Sequence, residues 1–435
     1  MLHHGVPRPA PRHWSRPALL LSALALLLAL AQSTSAQSVQ APSQQFQTTS
    51  YQGPLRPDPR LYAVEAAPVW RDRLDSSTAL VTESAVVYLR DGRLVATELS
   101  SGWQQWAYGA GLTGPLLLAQ GTVIVAEGAQ VTALDAVAGT HLWSTEVTAL
   151  PVRYLDLSGE ALLVGSGAEF ALLELSSGNI LHDLNVPGTS EPVHVDDGVV
   201  IFESYRGEPN VQRFHAFAPT TGEELWQSRG FTRLLGVEEG RAYLLNQRGA
   251  SGGAGERFSL SVVDARTGVR LEHWSYGMSG AGPARADGPG SQFVFTDDAI
   301  YIAGADGTVH RFARGGAEAP AASYQAPAGG EFLTGPHQGL LFFEGDDHSL
   351  VATKVGDLTT IRYLGAGTQT SRLDLVGRRA YVGRTGGTFL ALDLGTARVR
   401  YMLSTDGVGF GPTLRSGAYL VVQGSSELFV LEALE

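Results

Sequence analysis

The chain has 435 residues, a formal net charge of −12, 44% hydrophobic and 17% charged residues, and 53 glycines. An acidic chain repels phosphate backbones, which sets nucleic-acid binding aside. With no cysteine anywhere, disulfides, thiolate metal sites and a lipid-bearing cysteine are excluded.

Arg8, Arg12 and Arg16 precede an apolar stretch from Ala18 to Ala31, and Thr34, Ser35 and Ala36 follow it. This is the layout of a secretory signal peptide over residues 1–36. The apolar stretch holds 14 residues, whereas a helix needs roughly 20 to span a bilayer. The expectation is therefore export and no transmembrane anchor once the signal is removed. Losing those three arginines moves the formal charge from −12 to −15. Residues 37–60, rich in Gln, Ser and Pro with little to bury, read as a flexible leader.

From there the glycines and the low charge describe short buried strands joined by tight turns, with no long helices. Residues 121–143 read GTVIVAEGAQVTALDAVAGTHLW: a strand, a turn, a second strand ending in Ala133, Leu134 and Asp135, then Gly139 and Trp143. The same grammar occurs upstream with Gly102 and Trp106, and downstream at Gly178, at Gly222 with Trp226, and at Gly268 with Trp274. The glycine intervals are 37, 39, 44 and 46 residues. Divergent copies begin at Ala299, Leu340, Arg379 and Ala418, giving nine inner hairpins. Such repetition overrides the prior of about three domains that length alone sets.

Each repeated position has a physical reason. Glycine supplies the positive φ of a tight turn. A tryptophan four to six residues later lays a flat ring across the next repeat, burying about 150–250 Å². Continuous apolar strands such as residues 122–126 suit a sheet covered on both faces. Four-stranded sheets stacked radially meet all these demands, so the fold class is all-β, a closed β-propeller over residues 61–435. The last repeat lacks its outer strand. Residues 67–74 offer one, with Trp70 in the docking position, so pairing of the two ends closes the ring.

The Ala-Leu-Asp, Thr-Gly and Trp pattern resembles the PQQ-like β-propeller repeat, named for pyrroloquinoline quinone dehydrogenases, from about Trp70 to the C-terminus. The resemblance implies four-stranded blades, eight of them by the habit of the family against the nine hairpins counted. The general layout is similar to the propeller subunits of the bacterial outer-membrane β-barrel assembly machinery. That likeness implies a non-catalytic, exported scaffold, monomeric, binding protein partners in the cell envelope, with no cofactor. The alternative the resemblance carries is a quinone-dependent dehydrogenase; a small-ligand sensor is a third reading.

Several patterns look catalytic and fail on context. Gly109, Gly111 and Gly114 form GxGxxG, but no helix follows to receive a pyrophosphate. Gly249, Ser251 and Gly253 form GxSxG in a glycine-rich loop, where a nucleophile elbow needs a strand-to-helix turn. His182 takes a tryptophan slot, and His141, His215 and His310 fall in or beside repeat strands, so packing explains them. Glu344, Asp346 and Asp347 crowd a turn whose carboxylate order matches no calcium loop, and read as solvated. No residue is assigned to catalysis or to a metal.

Three insertions exceed the repeat length: Ser204 to Asn210, Gln247 to Arg257, and Tyr276 to Ser291. In up-and-down blades they emerge on the face opposite the glycine turns. Tyr205, Arg206, Arg248, Arg257, Tyr276 and Arg285 are the contact candidates there, because tyrosine and arginine most often anchor interfaces.

Overall fold

The structure is a computed structural model that describes residues 44–45, 65–75, 78–147, 151–196, 198–205, 212–246, 257–277, 293–304, 307–326, 330–363, 368–407 and 409–433. Residues 1–36, expected to be a signal peptide, lie outside the described residues, as does most of the expected leader 37–60. Among the described residues there is no helix, and so none long and apolar enough to cross a membrane.

Nine antiparallel sheets form the nine blades of a propeller. Blade 1 runs through Ala79–Val81, Ala85–Arg90, Arg93–Glu98 and Gln104–Tyr108, here called strands a to d in order. Blades 2 to 8 repeat that order over residues 116–146, 154–185, 189–229, 231–277, 293–325, 331–363 and 370–404. The a strands of neighbouring blades touch from blade 1 through blade 5, between blades 6 and 7, and between blades 9 and 1, and so face the axis. Blade 9 takes strands a to c from Leu414–Ser416, Tyr419–Gln423 and Glu427–Glu432, and its outer strand from Trp70–Arg73. Trp70 lies opposite Val430 in that antiparallel pair. The hairpin count thus equals the blade count, and the eight blades implied by family habit are one too few.

Each blade buries both faces because the middle positions of its b and c strands are mostly apolar. On Thr122–Glu127, Val123 and Val125 pack towards blade 1 while Ile124 and Ala126 pack towards blade 3. Full burial of such a side chain contributes about 1.5–3 kcal/mol. Alternation therefore serves two neighbours instead of core and solvent.

The c–d turn shows why the motif ends in Asp and Gly. The Asp135 carboxylate accepts the Val137 and Ala138 amides at 3.0 and 2.7 Å, and the Gly139 amide closes on the Asp135 carbonyl at 2.9 Å with φ +66°. Asp264 repeats the arrangement, and the Thr267 amide and hydroxyl hold its carboxyl below the usual range. These turns are the seats for the neighbouring blade. Trp70, Trp106, Trp143 and Trp226 each donate an indole N–H to a c–d turn carbonyl of the next blade, at Leu99, Ala136, Leu175 and Ala265, over 2.8–3.3 Å. The rings lie on Gly102, Gly139, Gly178 and Gly268, where an added Cβ would overlap them. His182, in the tryptophan slot, bonds the Thr220 carbonyl at 3.1 Å and covers Gly222.

Trp274 departs from expectation. Glu272 stands four residues after Gly268, and Trp274 sits two further along. Its indole N–H bonds Glu272 at 2.7 Å, and its ring joins the core of Tyr243, Phe258 and Phe312. Blade 5 meets blade 6 by backbone instead: Tyr276 and Ala317 form a parallel bridge, with Ala317 N–H to the Ser275 carbonyl and Gly277 N–H to the Ala317 carbonyl at 3.0 Å.

Candidate functional site

Strand order fixes two unlike faces. The a–b and c–d turns emerge on one, the b–c and d–a connections on the other. On the first face Trp70, Trp106, Trp143, His182 and Trp226 each hold a c–d turn. On the second, most b–c turns are short, as at Asp91 and Gly92 or Gly128 and Ala129. The two longest b–c connections, residues 206–211 and 247–256, and the longest d–a connection, 278–292, belong to blades 4 and 5.

Of the residues expected to make contact there, Arg206, Arg248 and Arg285 lie outside the described residues. Tyr205 ends strand Val200–Tyr205, paired with Thr189 and Gln212, and Arg257 opens Arg257–Asp264 opposite Gly277; their side chains lie outside what is described. Tyr276 is 0% exposed. Its ring stacks on Phe258 at 4.9 Å and meets Phe312 edge-on at 5.1 Å, so it is a core residue and not a surface contact. Its insertion begins only after the strand Arg270–Gly277 has ended, which is why its last tyrosine still faces inward.

The same face carries a buried polar cluster between blades 7 and 8. Arg384, at the end of its b strand, is 0% exposed. One Nη donates to the His348 and Thr368 carbonyls and the Thr370 hydroxyl at 2.6–3.0 Å. Burial pushes this guanidinium down to about 10, against the pull of the Glu344 and Asp347 charges. Glu344 accepts the Thr370 amide and the His348 imidazole N–H at 2.9–3.2 Å. Asp347 pairs with Arg362 and Ser349. The acidic turn is thus solvated only in part: Asp346 and Asp347 are exposed as expected, while Glu344 is buried and accepts protein donors. Further along the blade 8 inner strand Thr370–Val376, Arg372 and Asp374 form a buried ion pair at 2.9 Å, and Asp374 also accepts the Thr413 amide of blade 9 at 2.8 Å. Among the described residues no group of three or more His, Asp or Glu is placed to hold a metal.

The GxGxxG pattern and the histidines are structural. Gly109 and Gly111 have φ of +70° and +73°, and a Cβ on Gly114 would strike the Ala126 carbonyl oxygen. The GxSxG glycines and serine lie outside the described residues. His215 bonds Glu224 at 2.8 Å, His310 bonds Ser323 at 2.9 Å and His141 bonds Ser144 at 2.8 Å.

Sequence reasoning missed a cavity of about 460 Å³ on the axial side of blades 5 to 8. Leu235, Phe293, Phe295, Pro336 and Leu375 supply apolar walls, and Glu238, Tyr243 and His337 the polar groups. Beside it Arg314 donates to Glu238 at 2.7 Å, its guanidinium 5.8 and 5.7 Å from the Tyr243 and Phe295 ring centres. Such cation–π contacts contribute about 0.5–2 kcal/mol. Burial raises the Tyr243 hydroxyl above its ordinary value. The His337 imidazole donates to the Gly377 carbonyl at 2.8 Å. Apolar walls with a few fixed polar groups suit a small apolar ligand or side chain. The lining comes from four blades, so no local motif could have announced it.

Fold and faces define the class: a nine-bladed β-propeller. Residues 57–189 match a family model described as outer membrane protein assembly factor BamB, and over that stretch the chain resembles the PQQ-like propeller family. Similar solved structures include BamB from Moraxella catarrhalis, 17% identical, covering 85% of this chain and 100% of that one with a TM-score of 0.47. The computationally designed Ika8 protein is 14% identical, covering 74% of this chain and 96% of that one with a TM-score of 0.50. The quinohemoprotein alcohol dehydrogenase ADHIIG from Pseudomonas putida HK5 is 12% identical, covering 87% and 78% with a TM-score of 0.44. No curated protein matches the sequence. The likeness to Ika8 shows the fold alone.

Proposed function

We propose that the chain is an exported, non-catalytic scaffold of the cell envelope that binds a protein partner through the face carrying the long connections of blades 4 and 5. The observation that carries this reading is that the strand ends joined by the connections 206–211, 247–256 and 278–292 lie at one end of neighbouring sheets, at Tyr205 and Gln212, Asn246 and Arg257, and Gly277 and Phe293. Arg206, Arg248 and Arg285 within them, with Tyr205 and Arg257 at their borders, are the residue types that anchor protein interfaces. The match of residues 57–189 to a model described as an outer membrane protein assembly factor supports a partner that is itself a protein.

Photo-crosslinkers placed in the living cell at Arg206, Arg248 and Arg285 are expected to label one common protein, and crosslinkers at Val137 and Asp357, on the glycine-turn face, are expected to miss it. Replacing the three arginines with alanine should weaken that complex more than tenfold, since each anchor contributes about 1–2 kcal/mol. Equal labelling from both faces would refute the assignment of the face. A quinone absorption spectrum with dye-linked oxidation of an alcohol or sugar by the purified protein would refute the non-catalytic reading.

A further inference from the structure

Every a strand of a propeller turns one backbone edge towards the axis, leaving N–H and C=O groups without a strand partner. Among the described residues one such edge is filled. Gln44–Gln45 pairs antiparallel with Thr370–Val376 of blade 8, Gln44 opposite Leu373 and Gln45 opposite Arg372, making that blade a five-stranded sheet. The burial of the blade 8 strand agrees with an added cover. Its residues are buried without a break from Thr370 to Leu375, whereas every position of the blade 5 strand Phe231–Glu238 is only half-buried.

Two properties of the sequence make this pairing physically open to the leader. The first is charge: residues 37–55 contain no Asp, Glu, Lys, Arg or His. Such a segment can enter a channel without stripping water from an ionised group, which costs several kcal/mol per ion. The second is reach. The chain joins the outer wall at Glu65, which bridges Met402 on the outer strand of blade 8. A four-stranded blade is about 15–20 Å across at about 4.8 Å per strand, and the residues between Gln45 and Glu65 can extend to roughly 65 Å. The span from the periphery to the axis is short by comparison.

We propose that the inner edge of Thr370–Val376 is a strand-addition site inside the channel, and that the uncharged leader of this same chain, at Gln44–Gln45, is its resident occupant. Recognition is by main-chain hydrogen bonds, the mode by which an extended peptide lengthens a sheet. Leu375, on the same strand, lines the axial cavity, so the occupant lies beside that cavity. The proposal does not depend on the scaffold reading, which concerns the long connections of blades 4 and 5 and not the channel edge of blade 8.

Because backbone groups make the pairing, proline and alanine at the same two positions separate it from side-chain effects. The test uses the chain with its leader intact and reads hydrogen exchange in the segment 370–376. With Gln44→Pro and Gln45→Pro together, the amides of that segment that point away from strand b should exchange at least tenfold faster than in the parent. With Gln44→Ala and Gln45→Ala they should exchange as in the parent. The segment 231–238 should be unchanged in both variants, with the melting temperature held. Adding a synthetic peptide of residues 37–52 to the proline variant should restore protection. Parent-like exchange in the proline variant, or no restoration by the peptide, would overturn the proposal.

Discussion

The joint between blades 2 and 3 is the sharpest place to test what holds the ring together. Trp143 is 8% exposed, donates its indole N–H to the Leu175 carbonyl at 2.9 Å, and lies on Gly178, where a Cβ would stand 2.3 Å from the ring. Burying about 150–250 Å² of indole at about 25 cal/mol per Å² gives roughly 4–6 kcal/mol, an upper bound because the unfolded chain already covers some of that surface. Measured losses for tryptophan-to-alanine changes in cores are about 3–5 kcal/mol. Trp143→Ala is therefore expected to cost about 4 kcal/mol, and Trp143→Phe, which keeps a ring but strands the Leu175 carbonyl, about 1–2 kcal/mol from the hydrogen bond. The control is Trp103, 77% exposed, whose replacement by alanine should stay within about 0.5 kcal/mol. Urea midpoints followed by circular dichroism provide the comparison. If Trp143→Ala and Trp103→Ala shifted the midpoint equally, docking rings could not be what couples the blades.

Two further outcomes follow from the charged groups. Burial raises the Asp72 carboxyl on the closing strand, but the Tyr88 hydroxyl at 2.6 Å and the Arg90 guanidinium outweigh it and hold the group below its ordinary value. A depressed folded value means the contribution is complete above the unfolded value of about 3.9 and drains as pH falls through the folded one. The stability gap between the parent and Asp72→Asn should therefore be full at neutral pH and narrow below about pH 4; a gap independent of pH would refute the linkage. In the Arg372 and Asp374 pair, Arg372→Met leaves a buried carboxylate and should cost about 3–5 kcal/mol, while adding Asp374→Leu should recover much of it. A double variant no better than the single one in urea unfolding would show that the pair is not coupled.

The repeat was legible because each joint repeats one physical task, and the task outlives the letters that first revealed it. In blades 7 and 8 the glycine of the turn becomes Leu358 and Ala397, both held at positive φ, +61° and +55°. Tyrosine takes over the tryptophan's bond: Tyr324 reaches the Val355 carbonyl at 3.4 Å and Tyr363 the Leu394 carbonyl at 2.9 Å. Counting hairpins therefore found nine blades where family habit implied eight. Trp274 misled because a tryptophan near a glycine was read as a docking ring. Its spacing of six, against four at Gly102, Gly139 and Gly222, was the available sign that it belonged elsewhere. Tyr276 misled in a similar way: an insertion's border was read as surface, although the residue closes a strand whose alternation still points it inward. The axial cavity left no such sign. Glu238, Phe295, His337 and Leu375 come from four blades, and nothing in any one repeat marks them as neighbours.

The unequal treatment of the two faces has a mechanical cause. On the glycine-turn face, the carbonyls of Leu99, Ala136, Leu175, Ala265, Val355 and Leu394 each receive a ring donor from the adjoining blade. Lengthening one of those c–d turns would displace a carbonyl already committed to a neighbour, and the loss would fall on the joint. A b–c connection receives none of those ring donors, so added length there leaves the docking joints alone and adds chiefly loop-closure entropy, about 0.6 kcal/mol for each doubling. Residues 206–211 and 247–256 lengthen b–c connections and leave every one of those docking bonds in place. A surface free to vary while the ring stays closed is where recognition can be built without loss of fold. That is the physical reason to seek the partner above blades 4 and 5 and not among the turns that the tryptophans hold.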